Sequence, residues 1–477
     1  MEAWVEELQQ CAKGITVNSQ SVEPGMYFVA LTDNAQYMRD AISRGAVGVL
    51  MDSDSSLTCP SSIRSHRLPR LKSALPEYLS LLYPDAEKMP IYAITGTCGK
   101  SSVSWILQWV LQHCGVASGY IGTLGIHWPD YQESSPLTTP DVVTNYRLCQ
   151  QAKQAGLQAL CMEVSSHALA QHRLGDLKVH TAIFHNLSHE HLDYHGSMQV
   201  YALAKRRLLA RSEVKTILLN VDDPYTEFMR EAIHPHTHTI TYGIFAPADL
   251  GITGLHFEAG SITGQVHTPW GQAPIRLVGF SEATVYNVLA VIAAACVQGL
   301  PLAAVCDAVQ EAPMPPGRMV CYVRAQSPLA IVDYAHKPDA LALLLRSARR
   351  LLTPHGRLWC VFGCGGNRDV AKRPLMGKIA FELSDRIVIT ADNARDEDPA
   401  QIAAQICAGM PYRPEHLVIE LDRARAIALA IEQAAPHDVV IVAGKGHEDM
   451  QVIRGQHHAF SDSHYLEGLG YAPKSHI

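Results

Sequence analysis

IYAITGTCGKSSVSWILQWVL, residues 91–111, passes from a short apolar strand pattern through a glycine-bearing turn into an amphipathic helix pattern. That order brings backbone N–H groups and a helix N-terminus to one point, which is how chains hold phosphate. The usual phosphate loop, G-x-x-x-x-G-K-[ST], needs glycine at position 94, where the chain has Ile94. The match is therefore either an accident or a shortened loop from a distinct lineage. If it works as a loop, Gly96, Thr97, Cys98 and Gly99 form the turn, and Lys100 neutralises charge on terminal phosphates. Ser101 then offers a hydroxyl to Mg²⁺, and Ser102 follows it into the helix. Cys98 reads as a small residue at the loop tip, since no base lies near it in sequence to make it a nucleophile.

Outward from the loop, short apolar strands alternate with amphipathic helices, as in a doubly wound α/β sheet. The strands are QALCMEV, TAIFHNL and KTILLN, with VVTNYRLCQQAKQAG as a helix. A β-rich patch, ITGLHFEAGSITGQVHTPWGQAPIRLVG, interrupts the alternation, and the prolines of EAPMPPGR close it. A further alternating unit runs through LAIVDYA, RLWCVFG, DRIVIT and VVIVAG. Before the loop, GMYFVAL and AVGVLM flank the helix NAQYMRDAISRG, and LYPDAEKMP reads as a polar linker near residue 88.

At 477 residues the length predicts about three domains. With 46 acidic against 39 basic side chains and a net charge of -7, no nucleic-acid backbone is implied as partner. The N-terminus lacks a basic and apolar leader and no run of 18 apolar residues occurs, so a cytoplasmic protein without a membrane partner is expected. The 12 cysteines are scattered without a CxxC pair, which predicts reduced structural thiols.

A second chemical cluster follows the loop. Glu163 ends an apolar strand, where open α/β sheets put their chemistry. NLSHEHLDYHG is dense in histidine and carboxylates, and Lys205 lies on the helix pattern YALAKRRLL. Magnesium prefers oxygen, which favours Ser101 and Glu163; the histidines leave zinc open, without H-E-x-x-H or CxxC spacing to support it.

These pieces, with MEVSSHALAQHRL, MPPGRM, IVDYAHKPDAL, VFGCGGNRD, KRPLMG, TADNARDEDP and GKGHEDMQ, resemble the Mur ligase family from about residue 90 to 465. The resemblance implies three domains, a UDP-substrate domain at 1–88, an ATP-binding domain at 89–312 and an amino-acid-binding, Rossmann-like domain at 313–477. It also accounts for Ile94, because the family uses a shortened loop.

The implied reaction uses ATP and Mg²⁺ to phosphorylate the free carboxylate of a UDP-N-acetylmuramoyl dipeptide. The amine of an incoming amino acid then displaces the phosphate. One Mg²⁺ would be held by Ser101 and Glu163, a second through His191 and Lys205 as its carbamate. Thr138, Thr139, Ser165 and Arg173 would touch the muramoyl peptide, and Ser19 the uracil. Asn287, Arg318, Asp333 and His336 would recognise the adenosine.

Members that take meso-diaminopimelate carry D-N-P-R; this chain has Asp392, Asn393, Ala394 and Arg395. Arg395 keeps the bidentate partner for a distal carboxylate, with Arg368 and Gly444 as supporting positions in the family pattern, and Glu448 would receive the distal ammonium. The implied substrate is therefore meso-diaminopimelate, the implied state a monomer. Asn367 stands where the family carries aspartate, Glu190 where it carries aspartate, and Asn18-Ser19-Gln20 where it carries D-S-R. A ligase of the same mechanism with another acceptor or with L-lysine, and a catalytically silent binding protein, remain the alternative readings.

Overall fold

The computed structural model describes residues 3–11, 13–258, 261–279 and 281–474. Three α/β layers are built on separate sheets. The first has four parallel strands in sequence order, Ile15–Thr16, Tyr27–Ala30, Gly48–Asp52 and Arg64–Leu68. The helix Ala35–Ser43 crosses between its second and third strands, as the sequence predicts.

The second sheet has eight strands, and Ile91–Thr95 lies inside it between Val179–Phe184 and Ala159–Glu163. All three run parallel, so the phosphate loop, Glu163 and His185 emerge at the same sheet edge. Ligands of open α/β sheets bind at carboxyl ends of this kind. The helix Lys100–His113 starts behind Gly99, whose φ of 82° suits glycine, and buries Val103, Leu107, Val110 and Leu111 against the sheet. Against it packs Glu282–Val297, which is apolar almost all round and so belongs in the core. The β-rich patch is a separate antiparallel meander of Gly251–Glu258, Ser261–Thr268 and Gly271–Val278.

The third sheet has seven strands; Leu358–Phe362, Val439–Ala443 and Leu329–Asp333 lie side by side and parallel in its middle. Their carboxyl ends carry Asp333, the 363–368 loop and Gly444. This is the mixed α/β architecture the alternating patterns predict.

Two local expectations change. The segment read as a polar linker packs instead: Ala86 and Met89 are fully buried, and the Asp85 amide donates to Gln150 Oε1 at 2.8 Å. Its polar residues surround two apolar side chains, and composition alone does not show that alternation. GIHWPDYQE, unassigned in sequence, adds two antiparallel strands to the central sheet, with Trp128 and Tyr131 stacked at 4.1 Å. Among the described residues no helix is long and apolar enough to cross a membrane.

Candidate active site

Asn186, just beyond the strand Val179–Phe184, fixes the phosphate loop. Its Oδ1 accepts from the amides of Thr97 and Cys98 at 3.0 and 2.9 Å, and its Nδ2 donates to Cys98 O at 3.1 Å. A Cβ at Gly99 would lie 2.6 Å from His185 Nε2 and 2.7 Å from Asn287 Oδ1, so the loop has room only for glycine there. Asn287 thus reaches the loop from the core helix, while Cys98 is exposed at the tip.

Lys100 curls back over the loop, donating to Gly96 O at 2.9 Å and Thr97 O at 3.0 Å. Burial pulls its pKa below the ordinary lysine range. Those carbonyls hold the amine at the place where a terminal phosphate would compete for it. Ser101 donates to Glu163 Oε2 at 3.0 Å, and Glu163 is fully buried. The Glu163 carboxylate is also held by Tyr120 Oη, by the Thr123 amide at 2.9 Å and by the Thr123 hydroxyl at 3.2 Å. Tyr120 and Thr123 carry no motif signal, because their role appears only when the strands are paired.

Lys205 is 1% exposed and donates to Gly96 O at 2.7 Å. Among the described residues no carboxylate pairs with it. Burial, and then the neighbouring Lys100, push its amine well below the usual lysine range. His191 sits at a positive φ of 55° with Nε2 2.9 Å from Glu190 Oε1, and burial lowers it to about 4. Glu190 also pairs with Lys337, which arrives from the third sheet's side.

A hard cation fits this site: a hydroxyl and a carboxylate oxygen already lie within hydrogen-bond reach of each other. Beside them, a neutral imidazole and a buried amine without an anionic partner could provide a second position. Among the described residues no three His, Cys, Asp or Glu side chains converge on one point, so a cation here would draw its remaining ligands from the Ser101 hydroxyl, water and the substrates.

Thr138 and Thr139 lie beside this cluster. Thr139 is fully buried and its hydroxyl is engaged, donating to Glu163 O at 2.8 Å and accepting from the Ser165 amide at 3.0 Å. Thr139 therefore shapes the site, whereas Thr138 is half-buried, its hydroxyl receiving only the long 3.3 Å bond from Thr123. Ser165 caps a short helix, accepting from Ala168 N at 3.1 Å, and Arg173 donates to Thr139 O at 2.7 Å. Ser19 is buried in a 3₁₀ turn of the first sheet's layer.

On the third sheet's side, Arg318 lies over the Tyr334 ring at 4.4 Å. Asp333 accepts from the Met319 and Ala335 amides at 2.8 and 2.7 Å, and burial raises its pKa. His336 binds the Tyr334 carbonyl at 2.8 Å, and burial holds it near 4.

Farther along the same edge, Asn393 Nδ2 donates to Glu448 Oε2 at 2.7 Å. A Cβ on Gly444 would sit 2.9 Å from Asp392 Oδ2. Asp392, Asn393, Gly444 and Glu448 thus form one acidic corner. Burial and Asp392 raise the Glu448 pKa. Arg395 donates to Gly366 O at 2.8 Å, near the exposed Arg368. The two ends expected to read a zwitterionic side chain, one acidic and one basic, are therefore neighbours.

Residues 94–295 match the Mur ligase middle domain and residues 317–446 the glutamate ligase domain of Mur ligases. The chain is 38% identical over 465 residues to the "UDP-N-acetylmuramoyl-L-alanyl-D-glutamate--2,6-diaminopimelate ligase" of Alkalilimnicola ehrlichii, covering 94% of this chain and 93% of that one. It is 38% identical over 453 residues to the ligase of the same name from Synechococcus elongatus, covering 92% and 90%. A solved structure of a ligase of that name superposes with a TM-score of 0.68 at 31% identity, over 96% of this chain and 94% of that chain. MurF from Acinetobacter baumannii shares the fold, with a TM-score of 0.64 at 19% identity. With a shortened phosphate loop, a buried Ser101–Glu163 pair and near full-length relatives, the chain belongs to the Mur ligase family.

Proposed function

We infer that the protein is an ATP-dependent ligase that adds meso-diaminopimelate to UDP-N-acetylmuramoyl-L-alanyl-D-glutamate, a step in making peptidoglycan precursor, in the cytoplasm. The observation that carries the substrate choice is the pairing of the Asp392, Glu448 corner with Arg395 and Arg368 at one strand edge. An amino acid ending in both ammonium and carboxylate satisfies both; L-lysine would leave the guanidiniums facing no anion. The relatives' names point the same way.

In this reading the three layers act as domains at 1–88, 89–312 and 313–477. Lys100 and the loop amides bind the ATP phosphates, and Asn287, Arg318, Asp333 and His336 line the adenosine side. Mg²⁺ bound by Ser101 and Glu163, and by His191 with the Lys205 carbamate, supplies Lewis-acid stabilisation of the transferred phosphoryl group. Lys100 screens the repulsion between the acceptor carboxylate and the γ-phosphate. Thr138, Ser165 and Arg173 orient the muramoyl peptide, with Thr139 setting their backbone and Ser19 at the uracil. Glu448 and Asn393 hold the distal ammonium, so that the other amine of diaminopimelate is presented to the acyl phosphate.

The test is ADP release with UDP-N-acetylmuramoyl-L-alanyl-D-glutamate and either meso-diaminopimelate or L-lysine. Turnover with the former and little with the latter is expected. Turnover with lysine alone would overturn the assignment of Arg395.

A further inference from the structure

The loop that carries Arg395 has Ala394 before the arginine and holds a constrained backbone. Arg395 sits at a φ of 53° and Asn367, in the facing loop, at 52°. Neither is glycine, and left-handed backbone at such residues persists only where the surroundings over-determine it. The two loops touch directly: Gly366 N donates to Asn393 O at 2.9 Å, and a Cβ on Gly366 would collide with the Ala394 carbonyl.

The Arg395 backbone is pinned on one side by a bridge to the 450–454 segment, its amide donating to Val452 O at 2.9 Å and its carbonyl accepting from Arg454 N. On the other side a chain of charged contacts outside the substrate-binding set ties the two loops together. Arg373, fully buried on the helix Lys372–Leu383, makes a two-pronged pair with Glu397 at 2.7 and 3.0 Å. The same guanidinium donates to Gly365 O at 3.1 Å, so one side chain grips both loops. Glu397 also accepts from the Asn367 amide, and its carboxyl is held at about 2 by these donors, Arg373 first. Asn367 Nδ2 then donates to Asp396 Oδ2 at 2.7 Å, next to Arg395.

Position 367 presents an amide to the carboxylate of Asp396. An aspartate here would set two carboxylates within hydrogen-bond distance, so the amide at 367 and the carboxylate at 396 are matched. We propose that Arg373, Glu397, Asn367 and Asp396 are positioning residues that, together with the backbone bonds to Val452 and Arg454, hold Arg395 in its left-handed, substrate-facing geometry.

This inference rests on the role given above to Arg395, and its test separates the two. Hydrogen exchange across 363–368 and 392–398 is compared in wild type, Asn367→Asp, and the exchanged pair Asn367→Asp with Asp396→Asn. The single variant exchanges at least roughly tenfold faster in both segments, and the exchanged pair, which restores an amide–carboxylate bond with its direction reversed, returns most of the protection. In turnover the single variant raises KM for meso-diaminopimelate roughly tenfold at little cost in kcat, and the exchanged pair recovers to within about threefold. Unchanged exchange in the single variant, or a pair no better than the single, overturns the proposal. A wild type that turns over no diaminopimelate defeats the functional reading, and the exchange comparison still judges the frame.

Discussion

Burial, and then the nearby Lys100, push the Lys205 amine well below the usual lysine range, toward its neutral form. A neutral amine attacks CO₂, forming an N–C bond and releasing a proton to give a carbamate, so the same desolvation that is costly for an ammonium prepares the modification. The product is an anion in a pocket where Lys100 already provides positive charge. If the carbamate serves as proposed, Lys205→Ala is expected to lower ADP release by at least roughly a hundredfold, since its oxygen ligand near the transferred phosphate would be lost. Wild type stripped of CO₂ should lose activity and regain it on adding bicarbonate, while Lys205→Ala should not respond. Full activity in Lys205→Ala would remove the carbamate from the mechanism. At Gly99, a side chain would meet His185 and Asn287 in a backbone of φ 82°. Gly99→Ala should raise KM for ATP and destabilise the fold by about 1–3 kcal/mol, read from a urea titration.

Elements built from local signals were legible in the sequence, and those built from distant pairings were not. Residues 91–111 announce strand, turn and helix because apolar spacing and the glycines lie within one short window. The strands Gly125–Trp128 and Tyr131–Glu133 escape that test, being too short for alternation to register and separated by a turn with Asp130 at a φ of 63°. Most candidate site residues were found as members of motifs; Asn186, Tyr120 and Arg373 were missed because each acts on a loop or strand remote in sequence.

Arg423 shows the same limit. It is 2% exposed on the helix Arg423–Gln433 and pairs with the fully buried Asp462, 39 residues away, at 2.7 Å through two nitrogens. It also donates to Ala443 O at 3.0 Å and Ala391 O at 3.4 Å, the residues just before Gly444 and Asp392. One guanidinium thus ties two helices to both strand ends of the acidic corner. Arg423→Met strands a buried carboxylate and should cost about 3–5 kcal/mol in urea unfolding. Adding Asp462→Asn should recover part of that loss; a single variant within about 0.5 kcal/mol of wild type would show that the pair is dispensable.

Across the whole molecule, several histidines are held below the ordinary imidazole range. His167, His185, His191, His336 and His447 are each lowered to about 4, in every case chiefly by burial. Unfolded, these side chains titrate near pH 6.5, so between about 6.5 and 4 the unfolded chain binds more protons than the folded one. Stability is then fully present above about pH 6.5 and is lost as the pH falls toward 4. His185 alone, 2% exposed and bonded to Tyr242 at 2.8 Å, carries on the order of 3 kcal/mol of this dependence. The raised carboxyls of Asp223, Asp333 and Glu448 act in the opposite sense, since acid favours their folded, protonated forms, but they are three against five. The urea midpoint should therefore drop steadily from about pH 7 to about pH 5, and His185→Gln, which has no imidazole to titrate, should show a shallower fall. A midpoint that stays level across that interval would mean these histidines are solvated enough to keep their charge in the folded protein.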